Sequence, residues 1–146
     1  MAGETELVIS GDGMPPTSAR GITESLAINN PQFDKYTLTI SCADMNAPAF
    51  DALRPGVWRR TVNGGLVDLS GNGSIVTVDC VSELAYKTTG GSPAPSPQRT
   101  PVTGSSRTNG LFTFYRPQLV VGVISKSMET DEYGAVCSWQ AEFEEI

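Results

Sequence analysis

The sequence predicts an all-β chain: a single-domain antiparallel sandwich or barrel with one long Pro/Gly/Ser-rich loop and an irregular N-terminal segment. Three observations predict it. Most segments alternate apolar and polar residues with period two, which puts successive side chains on opposite faces of a strand. Fifteen glycines and ten prolines in 146 residues interrupt those segments repeatedly, as the turns of a many-stranded protein do. No stretch shows the 3.6-residue spacing of an amphipathic helix; only APAFDAL (47–53) would make a short turn of one before Pro55. A chain of this length buries about 68–70% of the surface it exposes when unfolded. One domain over 1–146, with an ordinary core, is therefore expected.

The elements follow in order. ELVIS (6–10) is a first short strand, broken by GDGMPP, and 11–21 reads as an irregular arm carrying Arg20. In GITESLAI (21–28), Ile22, Glu24, Leu26 and Ile28 oppose Thr23, Ser25 and Ala27, so the richer face holds one charge. YTLTISC (36–42) alternates cleanly, with Tyr36, Leu38, Ile40 and Cys42 on one face, the mark of a half-buried antiparallel strand. Asn63-Gly64 then signals a two-residue type I′ hairpin, because both central residues of that turn need φ > 0. It predicts that 57–62 pairs with 65–69. IVTVDC (75–80) puts Val76, Val78 and Cys80 together. LFTFY (111–115) and QLVVGVISKS (118–127) form a strand pair or one bent strand, and Pro117 marks an edge or a bulge. Both faces of 119–124 are apolar, which predicts a central, doubly covered strand. AVCSWQAEFEEI (135–146) closes the chain, with Ala135, Cys137, Trp139, Ala141 and Phe143 on the core face.

Composition excludes several chemistries. The formal charge is −6, from 10 basic and 16 acidic residues. Nucleic acid is not an expected partner, since binding it needs clustered Lys and Arg that release counterions. Histidine is absent, which removes the commonest general base and metal ligand. A Ser/His/Asp site cannot be assembled, and a zinc site would lack its usual ligands. We expect no catalytic residue, no metal and no cofactor. Glu129, Asp131 and Glu132 crowd one turn but lack the twelve-residue calcium-loop pattern, so they read as solvated charge. The glycines of 11–13 and 71–73 read as turns, and Asn72-Gly73-Ser74 as a chance glycosylation pattern. Cys42, Cys80 and Cys137 sit in strand-like runs and read as small buried hydrophobes, with one disulfide plus a free thiol left open. The start of the chain has no basic region followed by an apolar block, and no apolar run approaches about 18 residues. Neither a signal peptide nor a membrane span is expected, and synthesis in a cytoplasm is.

The stretch 87–110, KTTGGSPAPSPQRTPVTGSSRTNG, is the most unusual. Loops beyond about 12–15 residues in compact domains are functional or disordered. Its prolines, Pro95 among them, favour an extended, projecting form. Arg99 and Arg107 make it a basic arm on an acidic body, suited to an acidic neighbouring copy. The end EFEEI, with Glu142, Glu144 and Glu145, is the candidate receiver. Trp58, beside Arg59 and Arg60, reads equally as a core anchor or an interface anchor, since Trp and Arg dominate binding hot spots. The candidate interface is therefore Arg20, Trp58, Arg59, Arg60, Pro95, Arg99, Arg107, Glu142, Glu144 and Glu145.

Several strings together carry a resemblance: SARGITESL (18–26), FDKYTLTISCAD (33–44), RRTVNGGLVDLS (59–70), VTVDCVSELAY (76–86), FYRPQLVVGV (114–123) and DEYGAVCSWQAEFEEI (131–146). They resemble small structural proteins encoded among the tail genes of long-tailed bacteriophages. The resemblance implies a non-enzymatic virion component of the tail or tail tip, binding copies of itself in a ring or other oligomer and adjoining virion proteins. Capsid decoration or head–tail joining is the alternative within that class. A host-surface glycan or receptor module is a second class, and a carboxylate-pair hydrolase a third.

Overall fold

The computed structural model describes residues 7–11, 14–19, 22–30, 34–42, 53–88, 98–130 and 136–146. Among them lie thirteen strands: β1 (Leu7–Gly11), β2 (Met14–Ala19), β3 (Ile22–Asn30), β4 (Lys35–Cys42), β5 (Trp58–Arg60), β6 (Leu66–Asp68), β7 (Ile75–Asp79), β8 (Leu84–Lys87), β9 (Thr100–Pro101), β10 (Arg107–Asn109), β11 (Phe112–Tyr115), β12 (Pro117–Thr130) and β13 (Val136–Glu145). An eight-stranded sheet runs β2-β1-β7-β12-β13-β4-β3, with β9 also paired to β12; β10-β11-β8 and β5-β6 form smaller sheets. All ladders are antiparallel. The chain is all-β and sandwich-like, and its sheet does not close into a barrel.

One face of the large sheet is the core. Val76 and Val78 of β7, Leu119, Val121 and Val123 of β12, and Phe143 of β13 are fully buried there, joined by Leu38 and Ile40 of β4. These are the period-two positions of each strand. The sheet must curl to bury them. β3 and β7 stand four strand steps apart, about 19 Å in a flat sheet. Yet the Glu24 carboxylate on β3 accepts the N–H groups of Val81 and Ser82, just after β7, at 3.0 and 2.9 Å. The charge on the richer face of β3 is thus a latch across the curl.

Several expectations are corrected. The N-terminal segment is not an irregular arm over 14–19: β2 pairs with β1, Ile9 opposite Thr17. Pro15 and Pro16 are tolerated because β2 ends the strand order and both fall where the β1–β2 register shifts, between the Ile9–Thr17 and Gly11–Met14 pairs. The Asn63-Gly64 turn is a three-residue loop. Thr61 N–H bonds Gly65 O at 2.8 Å and Gly64 N–H bonds Thr61 O at 3.0 Å, and only Gly64 of the pair has positive φ, +88°. That is a type I turn with a glycine in the left-handed region, the next commonest hairpin geometry. The paired strands are correspondingly shorter than 57–62 and 65–69. β11 and β12 are one bent run. The β7–β12 ladder passes into the β8–β11 ladder, with four residues (80–83) opposite Arg116 and Pro117. The Arg116 side chain donates to Cys80 O at 2.7 Å inside that bend. Double cover of β12 is partial, since Val120 stays 49% exposed.

The loop 87–110 does not project over 98–110. β9 pairs Pro101 with Pro117 and Thr100 with Gln118, on the side of β12 where β13 has run out. β10 then folds against β11 through a Gly110 turn of φ +65°. Unpaired ladder groups on β12 gave this stretch somewhere to bond. Its residues 89–97 lie outside those described, as do most of the 47–53 turn and the acidic residues Asp131 and Glu132.

Candidate functional site

The β5–β6 hairpin lies on the outer face of the large sheet. Gly122 of β12 has no side chain there, and the Trp58 ring occupies the space: a Cβ on Gly122 would stand 2.6 Å from the ring. Trp58 Nε1 donates to Val123 O at 2.7 Å, and Gly56 N–H donates to the same oxygen at 3.0 Å. Asp68 fixes the hairpin's exit. Its carboxylate accepts the Ser70 hydroxyl at 2.7 Å and the N–H groups of Val57, Ser70 and Gly73 at 2.9, 3.0 and 2.5 Å. The Ser70 hydroxyl first, then those amides, hold the Asp68 carboxyl down at about 2, against some desolvation. Gly73 passes so close to Asp68 and Trp58 that a Cβ would stand 2.8–2.9 Å from them.

With Trp58 and Leu66 turned toward the sheet, the opposite side of the hairpin faces solvent. Val57, Val62, Val67 and Leu69 are exposed there, Val62 by 90%. Ile75, paired with Gly122, and Val120 continue the apolar surface on the sheet itself. Six of the nine exposed large apolar side chains among the described residues thus gather on this side. Arg59, opposite Val67, supplies a positive charge. A depression of about 340 Å³ is lined by Arg59, Arg60, Thr61, Val62, Val67 and Leu69. The sequence signal for this surface was the hairpin's apolar character on both faces. One face covers β12, and the other is left without a partner in the chain.

The structure distributes the expected interface residues differently. Arg99 packs back on its own chain: Nη2 and Nε donate to the Glu145 carboxylate at 2.8 and 3.2 Å, Nη2 also donates to Asp34 O, and the guanidinium lies 4.6 Å from the centre of the Tyr36 ring. Glu145 also accepts Tyr36 N–H at 3.0 Å. The Arg99 and Glu145 side chains are only 10% and 12% exposed. The hydrogen bond to Glu145 raises the Arg99 pKa, and burial pushes the Tyr36 phenol up with Arg99 opposing. Arg60 donates to Glu144 at 2.8 Å and to Glu145 O at 2.8 Å, tying the hairpin to β13. Basic loop and acidic end meet within one chain: Arg60 and Arg99 bond Glu144 and Glu145 internally. Arg107 stacks on Phe114 at 4.5 Å and pairs with Glu83, whose carboxyl it holds below the usual value. Trp58 anchors the hairpin. Arg59 and Glu142 are exposed; Arg20 and Pro95 lie outside the described residues. Cys80 is a free thiol in the core, and burial pushes its pKa up. The Cys42 and Cys137 side chains lie outside the described residues.

Among the described residues no cluster of three or more Cys, Asp or Glu is arranged to hold a metal, and no helix is long and apolar enough to cross a membrane. The fold and surface define an antiparallel all-β protein with an apolar outer face. No protein-family model, curated protein or solved structure matches the chain.

Proposed function

We propose that this chain is a structural subunit of a bacteriophage particle, placed in the tail or tail tip, that works by binding copies of itself and adjoining virion proteins. The observation that carries the reading is the outer apolar surface around the hairpin. Val57, Val62, Val67 and Leu69 stand in water on a hairpin held rigid by Trp58, Asp68 and Arg60. Large exposed apolar patches mark protein contacts, and a rigid presenting element lowers the cost of forming them. The resemblance to tail-region proteins supplies the setting.

The test is assembly of the purified chain. Sedimentation velocity and negative-stain imaging at rising concentration should show oligomers. Val67→Glu with Leu69→Glu, both at exposed positions, should reduce them to smaller species while leaving the circular dichroism of the fold unchanged. A wild type that stays monomeric at every concentration, or a double variant that assembles as the wild type does, overturns the proposal.

A further inference from the structure

A sheet edge carries unpaired backbone N–H and C=O groups, and monomeric proteins blunt such edges with proline, bulges, basic side chains or short length. Nearly every described edge here carries such a device. β2 contains Pro15 and Pro16, and its ladder with β1 is interrupted by a register shift. β8, β10, β5 and β6 have four residues or fewer, and Lys87, Arg107, Arg59 and Arg60 lie on the first three. β3 is the exception. It runs nine residues, Ile22–Asn30, without proline, lysine or arginine. Among the described residues it pairs with β4 alone, in unbroken register from Ile22 to Ile28. Thr23, Ser25 and Ala27 are exposed, small and uncharged. Its one charge, Glu24, is turned inward onto Val81 and Ser82.

We infer that β3 is a dimer edge, occupied by β3 of a second copy in an antiparallel pair. Charge permits a copy at this strip. A body of net charge −6 repels another of its kind, but the β3 edge is where two copies meet without opposed carboxylates. Topology selects a two-fold pair. A head-to-tail contact of β3 on β2 would extend into rings or filaments, but Pro15 and Pro16 remove ladder donors from β2. β3 on β3 is isologous, so it closes at two copies and makes one continuous sheet across the dimer. The inference rests on reading the chain as a self-assembling subunit, and it adds a contact separate from the hairpin face.

Sedimentation equilibrium and amide hydrogen exchange test it on the whole chain. The wild type should dimerise, and alternate amides within 22–30 should gain protection as concentration rises. Ala27→Lys and Ser25→Lys, at exposed positions, should each weaken dimerisation at least tenfold. Val67→Glu with Leu69→Glu should leave the β3 dimer and remove only higher assembly. Exchange in β3 that is independent of concentration overturns the inference, whatever the lysine variants do. So does a dimer that survives both lysines together. A dimer lost with the hairpin variant but kept by the lysine variants overturns the β3 edge and keeps the hairpin face. A wild type monomeric throughout overturns both.

Discussion

Replacing Gly122 by alanine should separate the hairpin from the sheet, and the size of the effect follows from three contacts. The new Cβ would stand 2.6, 2.7 and 2.8 Å from Cζ2, Cη2 and Cε2 of Trp58. Carbon atoms settle at about 3.5–4.0 Å, so the ring must retreat by about 1 Å. Overpacking of that kind costs about 1–3 kcal/mol. The retreat also stretches the 2.7 Å bond from Trp58 Nε1 to Val123 O, worth about 0.5–1.5 kcal/mol. Against this, alanine in a strand interior gains about 0.5–1 kcal/mol over glycine. The net expectation is a loss of about 2 kcal/mol. Trp58→Ala removes the obstacle, so in that background Gly122→Ala should be neutral or stabilising by about 0.5 kcal/mol. Equilibrium urea unfolding of the four proteins gives the coupling directly, provided the slope with urea is unchanged. A Gly122→Ala penalty that is equal with and without Trp58 would refute the placement of the ring.

Three further outcomes are expected. Glu24→Ala leaves the Val81 and Ser82 amides without their acceptor, so it should cost about 1–3 kcal/mol in urea unfolding; unchanged exchange of those two amides would contradict the latch. Arg99→Ala leaves the Glu145 carboxylate largely buried without its partner and should cost about 2–4 kcal/mol, whereas Arg99→Met with Glu145→Leu should cost less than either single change; additive losses in the double variant would contradict that pairing. Asp68 has its folded pKa depressed to about 2, so its stabilising contribution is present above the unfolded value near 3.8 and is lost as pH falls through about 2. Thermal midpoints measured from pH 5 down to 2 should converge between the wild type and Asp68→Asn; parallel curves would contradict the Asp68 cluster.

The all-β class was legible in the chain because period-two alternation is a local property: Leu38, Ile40, Val76, Val78, Leu119, Val121 and Phe143 reach the core wherever their strands pair. The hairpin around Asn63-Gly64 was legible for the same reason, though not its loop length: a two-residue turn would set Arg60 opposite Val67, and the third loop residue sets it opposite Leu66. Strand order, partner choice and the destination of polar side chains are non-local, and only the tertiary structure decided them. Glu24 reads in sequence as a flaw on an apolar face, and becomes a latch because the curl brings Val81 and Ser82 to it. Arg99 and Glu145 read as a contact between copies, since opposite charges carry no label of the chain they belong to. They meet in one chain because β9 takes the place beside β12 where β13 ends. The apolar side of the hairpin was visible as a pattern, but its exposure follows from Gly122 admitting Trp58 and so choosing which face turns outward. A sequence states which residues avoid water; the packing of distant strands determines which of them succeed.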